Sequence, residues 1–554
     1  MINTRRFSFE LHCLGRLAVL TAALLLSACA ATSVSPNSSP IIAAPITGPT
    51  VSSKPCVSAA KLTAAELSVP REFRAAWVAT VANIDWPSQK GLSAQAQLAE
   101  IEAIVAKAKQ IGLNALIVQV RPSADAIYPS GIEPWTEYLS GRQGQAPAWI
   151  DAPADKPVFD PLQSWIRIAH ESGIALHAWF NPYRASHPAA STVFADNHIS
   201  RTNPSIVKSY DKYLWLDPSE PQAAQRTLDV IMDVVNRYDI DGVHIDDYFY
   251  PYPVAGIDFP DSAAWEAFRA KNPSALIADW RRQHVNQLVE RIHLSVHQKK
   301  PWLQFGISPF GIGKPSLRPA SIKGFSQYDS LYADVELWLS KGWLDYLAPQ
   351  LYWPIDQAPQ AFSTLLDYWA SQNTAKRFIW PGLFTSKIDP SPASWTTKEI
   401  IDQVQLTRSK QKQNALVNGH MHFSMAALMQ NRRGIADQLQ ITYAQPAVSP
   451  VTNAREANGA GAINEITPNV TLISRSQFSV DIPFAAAATQ AVDQTIRLIV
   501  IWKKTTTGWQ HSVHSHRDCP CTFNMDADTQ AVAAATINRF NVQSVPVQIV
   551  IDKK

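Results

Sequence analysis

Asp241-Gly242-Val243-His244-Ile245-Asp246-Asp247-Tyr248 is the stretch on which both fold and chemistry turn. Gly242–Asp246 has the length and apolar content of a buried strand. Side chains alternate along a strand, so His244 and Asp246 share one face. Asp247 points the other way unless the strand has already ended there. Amphipathic stretches flank the run, Pro221–Tyr238 before it and Trp265–Gln298 after it. The strand is therefore one step in a β/α alternation.

Seven further runs repeat the pattern: Phe73–Val81, Ala115–Val120, Ile174–Phe180, Gln304–Ser308, Tyr346–Leu351, Phe378–Leu383 and His420–Ala426. Helical stretches such as Ala94–Ile111, Pro161–Ser172 and Ser330–Gly342 lie between them. Eight strands alternating with helices predict an α/β fold, a parallel sheet closed into a (β/α)8 barrel over residues 70–445. The competing architecture, an open doubly wound sheet, usually carries a Gly-rich phosphate loop after its first strand, and none follows here. Gln445-Pro-Ala-Val-Ser-Pro450 then marks a boundary. Within 446–554, the runs Val470–Ile473, Phe478–Ile482, Thr495–Trp502 and Val547–Ile551 predict a linker and a small all-β sandwich.

The other end of the chain is an address. Arg5, Arg6 and Arg16 precede the apolar run Leu17–Leu26, which is too short to span a bilayer comfortably. The run closes on Leu26-Ser27-Ala28-Cys29, which resembles a bacterial lipobox. Residues 1–28 are thus expected to be a lipoprotein signal peptide, with Cys29 lipidated and the chain held at a membrane. By resemblance to lipoprotein sorting, Ala30 favours the periplasmic face of the outer membrane. Residues 29–69, rich in Ala, Ser and Pro, read as a flexible tether. Of the remaining cysteines, Cys519 and Cys521 flank a single Pro, an awkward spacing for a mutual disulfide, which leaves Cys56 with one of them as the conceivable pair.

Composition narrows the function class. The 554 residues include 18 Trp, 15 Tyr and 20 Phe and carry a formal net charge of +3. That aromatic content excludes a wholly disordered chain, and the near-neutral balance gives nucleic-acid binding no support. Protein partners are not readable from it.

Active sites of such barrels lie at the C-terminal ends of the strands. The second strand ends at Arg121 and leads into Asp125, Glu133 and Trp135; the third ends His177-Ala-Trp179-Phe-Asn181-Pro-Tyr183-Arg184. The fourth supplies His244, Asp246, Asp247 and Tyr248, and the sixth Gln350, Tyr352 and Trp353. Aromatic rings with few acids are the usual lining for sugars, whose apolar faces stack while hydroxyls take directed hydrogen bonds. Against that stands a plainer possibility, that His177, His244 and the tryptophans are core residues and Glu133 a surface acid.

Taken in order, Arg74-Ala-Ala-Trp-Val-Ala-Thr-Val-Ala-Asn-Ile-Asp-Trp-Pro-Ser88, Gln119-Val-Arg-Pro-Ser-Ala-Asp-Ala-Ile-Tyr-Pro129, His177–Arg184 and Asp241–Tyr248 resemble the glycosyl-hydrolase-like 10 family of bacterial lipoproteins and secreted proteins. The resemblance implies a (β/α)8 barrel with an appended fibronectin-like β domain. It also implies glycosidase activity on peptidoglycan glycan strands stripped of their stem peptides, with no cofactor. Asp241–Asp246 further resembles the fourth-strand signature of α-amylase-like barrels, whose final Asp is the nucleophile, and this assigns Asp246 as the catalytic carboxylate.

Glycoside hydrolysis ordinarily needs a second carboxyl group. The usual fifth-strand Glu is replaced by Ser308-Pro309-Phe310, so Asp247 and Glu133 are the candidates, and the substrate's own 2-acetamido group is a further route. Arg121, Asp125, His177, Trp179, Asn181, Tyr183, His244, Tyr248, Gln350, Tyr352 and Trp353 are the expected substrate contacts. Two rival classes remain open. One is a glycan-binding lipoprotein without turnover; the other is a metal-dependent hydrolase using His177, His244, Asp246 and Asp247.

Overall fold

The computed structural model describes residues 59–61, 67–151, 153, 155–452, 466–483 and 496–551. The expected signal peptide, Cys29, Cys56 and most of the expected tether lie outside the described residues.

Parallel strands Phe73–Val78, Ala115–Arg121, Ala175–Phe180, Gly242–Ile245, Gln304–Ile307 and Tyr346–Leu347 follow one another with helices between. The seventh strand comes in two halves, Phe378–Ile379 and Gly382–Leu383, and the eighth is Gly419–His422. The first half of strand seven pairs with strand six, the second half with strand eight. Pro381, between the halves, has no N–H to donate. The main chain still bridges both neighbours, through Trp380 N–H to Leu347 O (2.9 Å) and Met421 N–H to Pro381 O (3.0 Å). Strand eight pairs in turn with strand one, Gly419 opposite Phe73. The sheet is closed, as a (β/α)8 barrel requires, and the doubly wound alternative falls.

Alternation along each strand sorts the apolar residues into two cores. Ala76 and Val78, or Leu116 and Val118, pack outward under the helices. Phe73, Ala75, Trp77, Ala115 and Ile117 face the barrel axis with Tyr346, Trp380 and Met421. The axis is crowded with rings, Phe73 stacking on Trp380 at 3.9 Å. Glycine makes the room: a Cβ at Gly306 would overlap the Tyr346 ring, and one at Gly242 would run into His177. The first two crossover helices begin at side-chain caps, Ser93 accepting from Ala96 N–H and Asp160 from Gln163 N–H. After strand three the chain makes an excursion, a small antiparallel sheet of Arg184–Ser186, Tyr213–Leu216 and Val207–Tyr210. Among the described residues no helix is long and apolar enough to cross a membrane.

The C-terminal region is a pair of antiparallel sheets. One contains Ile496–Thr505, Gly508–Ser515, Ala531–Asn538 and Val547–Val550; the other contains Asn469–Ser474, Gln477–Asp481 and Cys521–Asn524. Phe478 and Val480 from the smaller sheet meet Ile499, Ile501, Val532 and Ile549 from the larger, which makes a sandwich. Leu498, Val500 and Trp502 alternate onto the opposite face and are buried as well, with Val448. At the bottom of the barrel, Arg497 ion-pairs with Asp241 and Arg539 with Asp239 (2.6 Å).

Two expectations need correction here. Residues 29–69 are not all tether. Ala59–Lys61 pairs antiparallel with Val547–Val550 and covers an otherwise bare strand edge, and Leu67 and Val69 are buried against Val448 and Trp502. Cys519 and Cys521 are joined to each other. The chain turns at Pro520 and brings their Cα atoms to 4.3 Å, a closeness that spacing in an extended chain does not reveal.

Candidate active site

The C-terminal rim of the barrel opens into a cleft of about 170 Å³. Strand one contributes Trp77, strand two Gln119, strand three Trp179, strand five Ser308 and strand eight is followed by Phe423. Strand four ends in Asp246, Asp247 and Tyr248, and strand six leads to Gln350 and Tyr352. Five aromatic side chains therefore surround two adjacent carboxyl groups.

Asp246 sits just past the end of strand four, buried on the cleft floor. Its Oδ2 accepts from Trp179 Nε1–H (3.0 Å) and Asn181 Nδ2–H (3.1 Å), and Asn181 Nδ2 also lies 3.2 Å from Oδ1. Burial pushes its pKa up to about 7, with the neighbouring charge of Asp247 acting in the same direction. Asp247 accepts a hydrogen bond from the Tyr252 hydroxyl, and burial raises its pKa too. A rim carboxyl that holds its proton near neutrality, beside a second carboxyl, is the equipment of general acid catalysis.

His177 and His244 belong to the barrel interior, not to the cleft. Trp77 Nε1 can only donate, and it points at His244 Nε2 (3.2 Å), which puts the His244 proton on Nδ1. Nδ1–H then donates to the Tyr346 hydroxyl (3.0 Å), and that hydroxyl donates to His177 Nδ1 (2.9 Å). Burial lowers the pKa of both rings, His177 to about 4, so both are neutral. His177 pairs in register with Gly242, a layer below Asp246. The two histidines do not converge with the aspartates. Among the described residues no group of three or more His, Cys, Asp or Glu is arranged to hold a metal ion, which removes the proposed ligand set of a metal-dependent hydrolase.

Other expected contacts are supporting residues. Arg121 and Glu133 are both fully buried in a two-pronged ion pair, at 2.8 and 2.6 Å. Arg121 also donates to Asn181 O (2.6 Å) and Pro182 O (3.1 Å). The pair thus fixes the turn that presents Asn181 to Asp246, and Glu133, a candidate acid, stays away from the cleft lining. Asp125 lines a separate small pocket with Ser123 and Glu137, where burial raises its pKa to about 7. Tyr183 is wholly buried, and Trp353 packs edge-on against Phe310 at 5.6 Å. Neither lines the cleft.

The cleft also holds residues not singled out in the sequence. Gln119 Oε1 accepts from Thr80 N–H (3.1 Å) and Val81 N–H (2.9 Å), which pins the loop after strand one. Ser308 Oγ lies 2.9 Å from His244 Nε2. Arg184 spreads its guanidinium over Tyr248, 4.1 Å from the ring centre. Its backbone N–H donates to Asn181 Oδ1 (2.8 Å). Arg184 ends one of the motifs quoted above, and its position there was the available signal.

The family profile described as glycosyl hydrolase-like 10 matches residues 72–405. The chain belongs to this family. The match runs from the first strand into the seventh helix, Thr397–Gln411, and includes every cleft residue named above except Phe423. Glycosyl hydrolase YngK of Bacillus subtilis (strain 168) is 40% identical over 389 residues, 69% of this chain and 73% of that protein. Glycosyl hydrolase DigH of Escherichia coli (strain K12) is 32% identical over 318 residues, 54% of this chain and 69% of that protein. Among solved structures, the PgaB (BpsB) glycoside hydrolase domain from Bordetella bronchiseptica aligns with a TM-score of 0.44 and 13% identity, over 69% of this chain and all of that one. Family membership and a rim built from rings and carboxyl groups give this member a glycosidase-type or glycan-binding role.

Proposed function

We propose that this protein is a glycoside hydrolase of bacterial cell-wall polysaccharide, acting on peptidoglycan glycan strands that have lost their stem peptides. A lipid on Cys29 would hold it at the periplasmic face of the outer membrane. The observation that carries the hydrolase reading is Asp246, a buried rim carboxyl held protonated up to about pH 7 next to a second carboxyl. Trp179 donates to Oδ2 alone and Asn181 is shared between the two oxygens, so Oδ1 is the less engaged oxygen and the one that would carry the proton. In this mechanism Asp246 protonates the leaving oxygen of the glycosidic bond. Asp247, steadied by Tyr252, acts on the attacking group, a water or the substrate's own 2-acetamido oxygen. Trp77, Trp179, Tyr248, Tyr352 and Phe423 offer the ring faces on which sugars stack.

The test compares wild type with Asp246→Asn on amidase-stripped glycan strands and on intact sacculi, reading released sugars by mass spectrometry. Release from stripped strands that disappears in the variant is the expected outcome. Undiminished release by Asp246→Asn overturns the assignment. One observation favours a second reading, glycan binding without turnover: the fifth-strand end offers only the Ser308 hydroxyl, engaged with His244. Retained binding of stripped strands with no product would establish it.

A further inference from the structure

Among the described residues, Arg184 is a buried cation without an ion-pair partner. It is 2% exposed and lines the cleft. Other buried arginines have carboxylate partners: Arg74 with Glu72, Arg121 with Glu133, and Arg281 with Asp261, each at 2.6 Å. No described residue forms an ion pair or a hydrogen bond with the Arg184 guanidinium. Its Nε is buried without a partner. Asp246 and Asp247 feel its charge but do not come within the 4.0 Å of an ion pair. The arginine is nevertheless firmly placed. Its backbone is tied to Asn181 and pairs with Trp215, and its side chain lies flat on Tyr248.

Burying a guanidinium with no paired charge is costly, and such a group is stable in use when a ligand completes it. Its planar fork matches a carboxylate. We infer that Arg184 recognises a carboxylate carried by the sugar chain, namely the free 3-O-lactyl carboxylate of a muramyl residue whose stem peptide has been removed. This rests on the cell-wall reading above and deepens it. In an intact strand the same lactyl group is an amide, neutral and unable to complete the cation. A site built around a charged partner discriminates against the uncharged analogue far better than an apolar pocket discriminates by size. Arg184 would thus make the enzyme wait until the peptides are gone.

The substrate can be changed without touching the protein. Muramyl-containing oligosaccharides with free lactyl carboxylates are compared with the same oligosaccharides converted to methylamides, by calorimetric binding and by cleavage. Wild type is expected to prefer the free form by about tenfold to a hundredfold. Arg184→Gln should erase the ratio, and Arg184→Lys should keep part of it. Equal handling of the two forms by wild type overturns the inference, even if Arg184→Gln fails to fold. Cleavage without carboxylate preference leaves the hydrolase standing and removes this role for Arg184. Preference in binding with no cleavage supports Arg184 while the hydrolase falls. A uronic-acid oligosaccharide that binds more tightly than the muramyl one overturns the lactyl assignment.

Discussion

Strand four carries a buried carboxylate at each end, and the two are treated in opposite ways. Asp241, at the bottom, is met by the Arg497 guanidinium, by His170 Nε2 (2.9 Å) and by Leu176 N–H (2.8 Å). Despite burial, these partners hold its pKa well below the carboxylate range. Asp246, at the top, accepts only neutral donors and is held near 7. Equal burial yields a structural anion where a cation is paired directly with the carboxylate and a chemical group where none is. The bottom of the strand fastens the C-terminal sandwich to the barrel; the top is kept poised.

The sharpest way to break this comparison is to neutralise each end. Asp246→Asn should cost about 10²–10⁴-fold in cleavage while the protein remains folded. Asp241→Ala should do the reverse. It strands Arg497 and His170 in a buried interface and should cost about 3–5 kcal/mol of stability, read from denaturant unfolding, with cleavage per folded molecule retained. If both variants lose activity in proportion to lost structure, the two ends are alike and the contrast fails.

Glu133 extends the test to the candidate the geometry displaced. Glu133→Gln leaves Arg121 buried and unpaired, so a loss approaching that of Asp241→Ala is expected in thermal unfolding. Folded Glu133→Gln should keep its pH–rate profile, because Glu133 supports the Asn181 turn and does not touch substrate. A shifted acid limb would return it to the list of proton donors.

The two ends of strand four should also differ in their response to pH. For Asp246 the folded pKa, about 7, exceeds its ordinary value of 3.8. Between those values the folded state binds more protons than the unfolded, so this group makes stability fall as pH rises. For Asp241 the folded pKa is depressed, and its contribution is present above the ordinary value and lost as pH falls below it. Thermal unfolding should show Asp246→Asn gaining on wild type from about pH 4 to about pH 7 and holding level above that. The cleavage rate should decline above about pH 7 as Asp246 gives up its proton.

The barrel was legible because each strand is a short apolar run between helical periods. The split in strand seven was not, since the run Phe378–Leu383 hides the missing donor of Pro381 inside an otherwise good strand. Ala59–Lys61 was lost to the tether because its partner Val547–Val550 lies at the far end of the chain, beyond any local pattern. At the site, Asp246, Asp247, Trp179, Tyr248, Gln350 and Tyr352 line the cleft as their strand ends suggested. His177 and His244 did not follow, because alternation tells which face a side chain takes and not how deep along the axis it lies. Arg184 stood in a quoted motif, yet a missing counter-ion is a fact about space and not about sequence.

Ser308 gives the smallest and most discriminating test. It occupies the end of strand five, where a glycosidase barrel commonly keeps its acid, and its hydroxyl faces His244 Nε2 at 2.9 Å. That nitrogen also receives Trp77 Nε1–H, so Ser308→Ala removes one of two partners and strands no charge. Stability should fall by about 0.5–1.5 kcal/mol, and cleavage should change by less than about threefold. The interior histidine would then be confirmed as a satisfied packing element beneath the cleft floor. A loss comparable with that of Asp246→Asn would instead put the Ser308 hydroxyl on the reacting sugar, and strand five would share the chemistry now assigned to strand four alone.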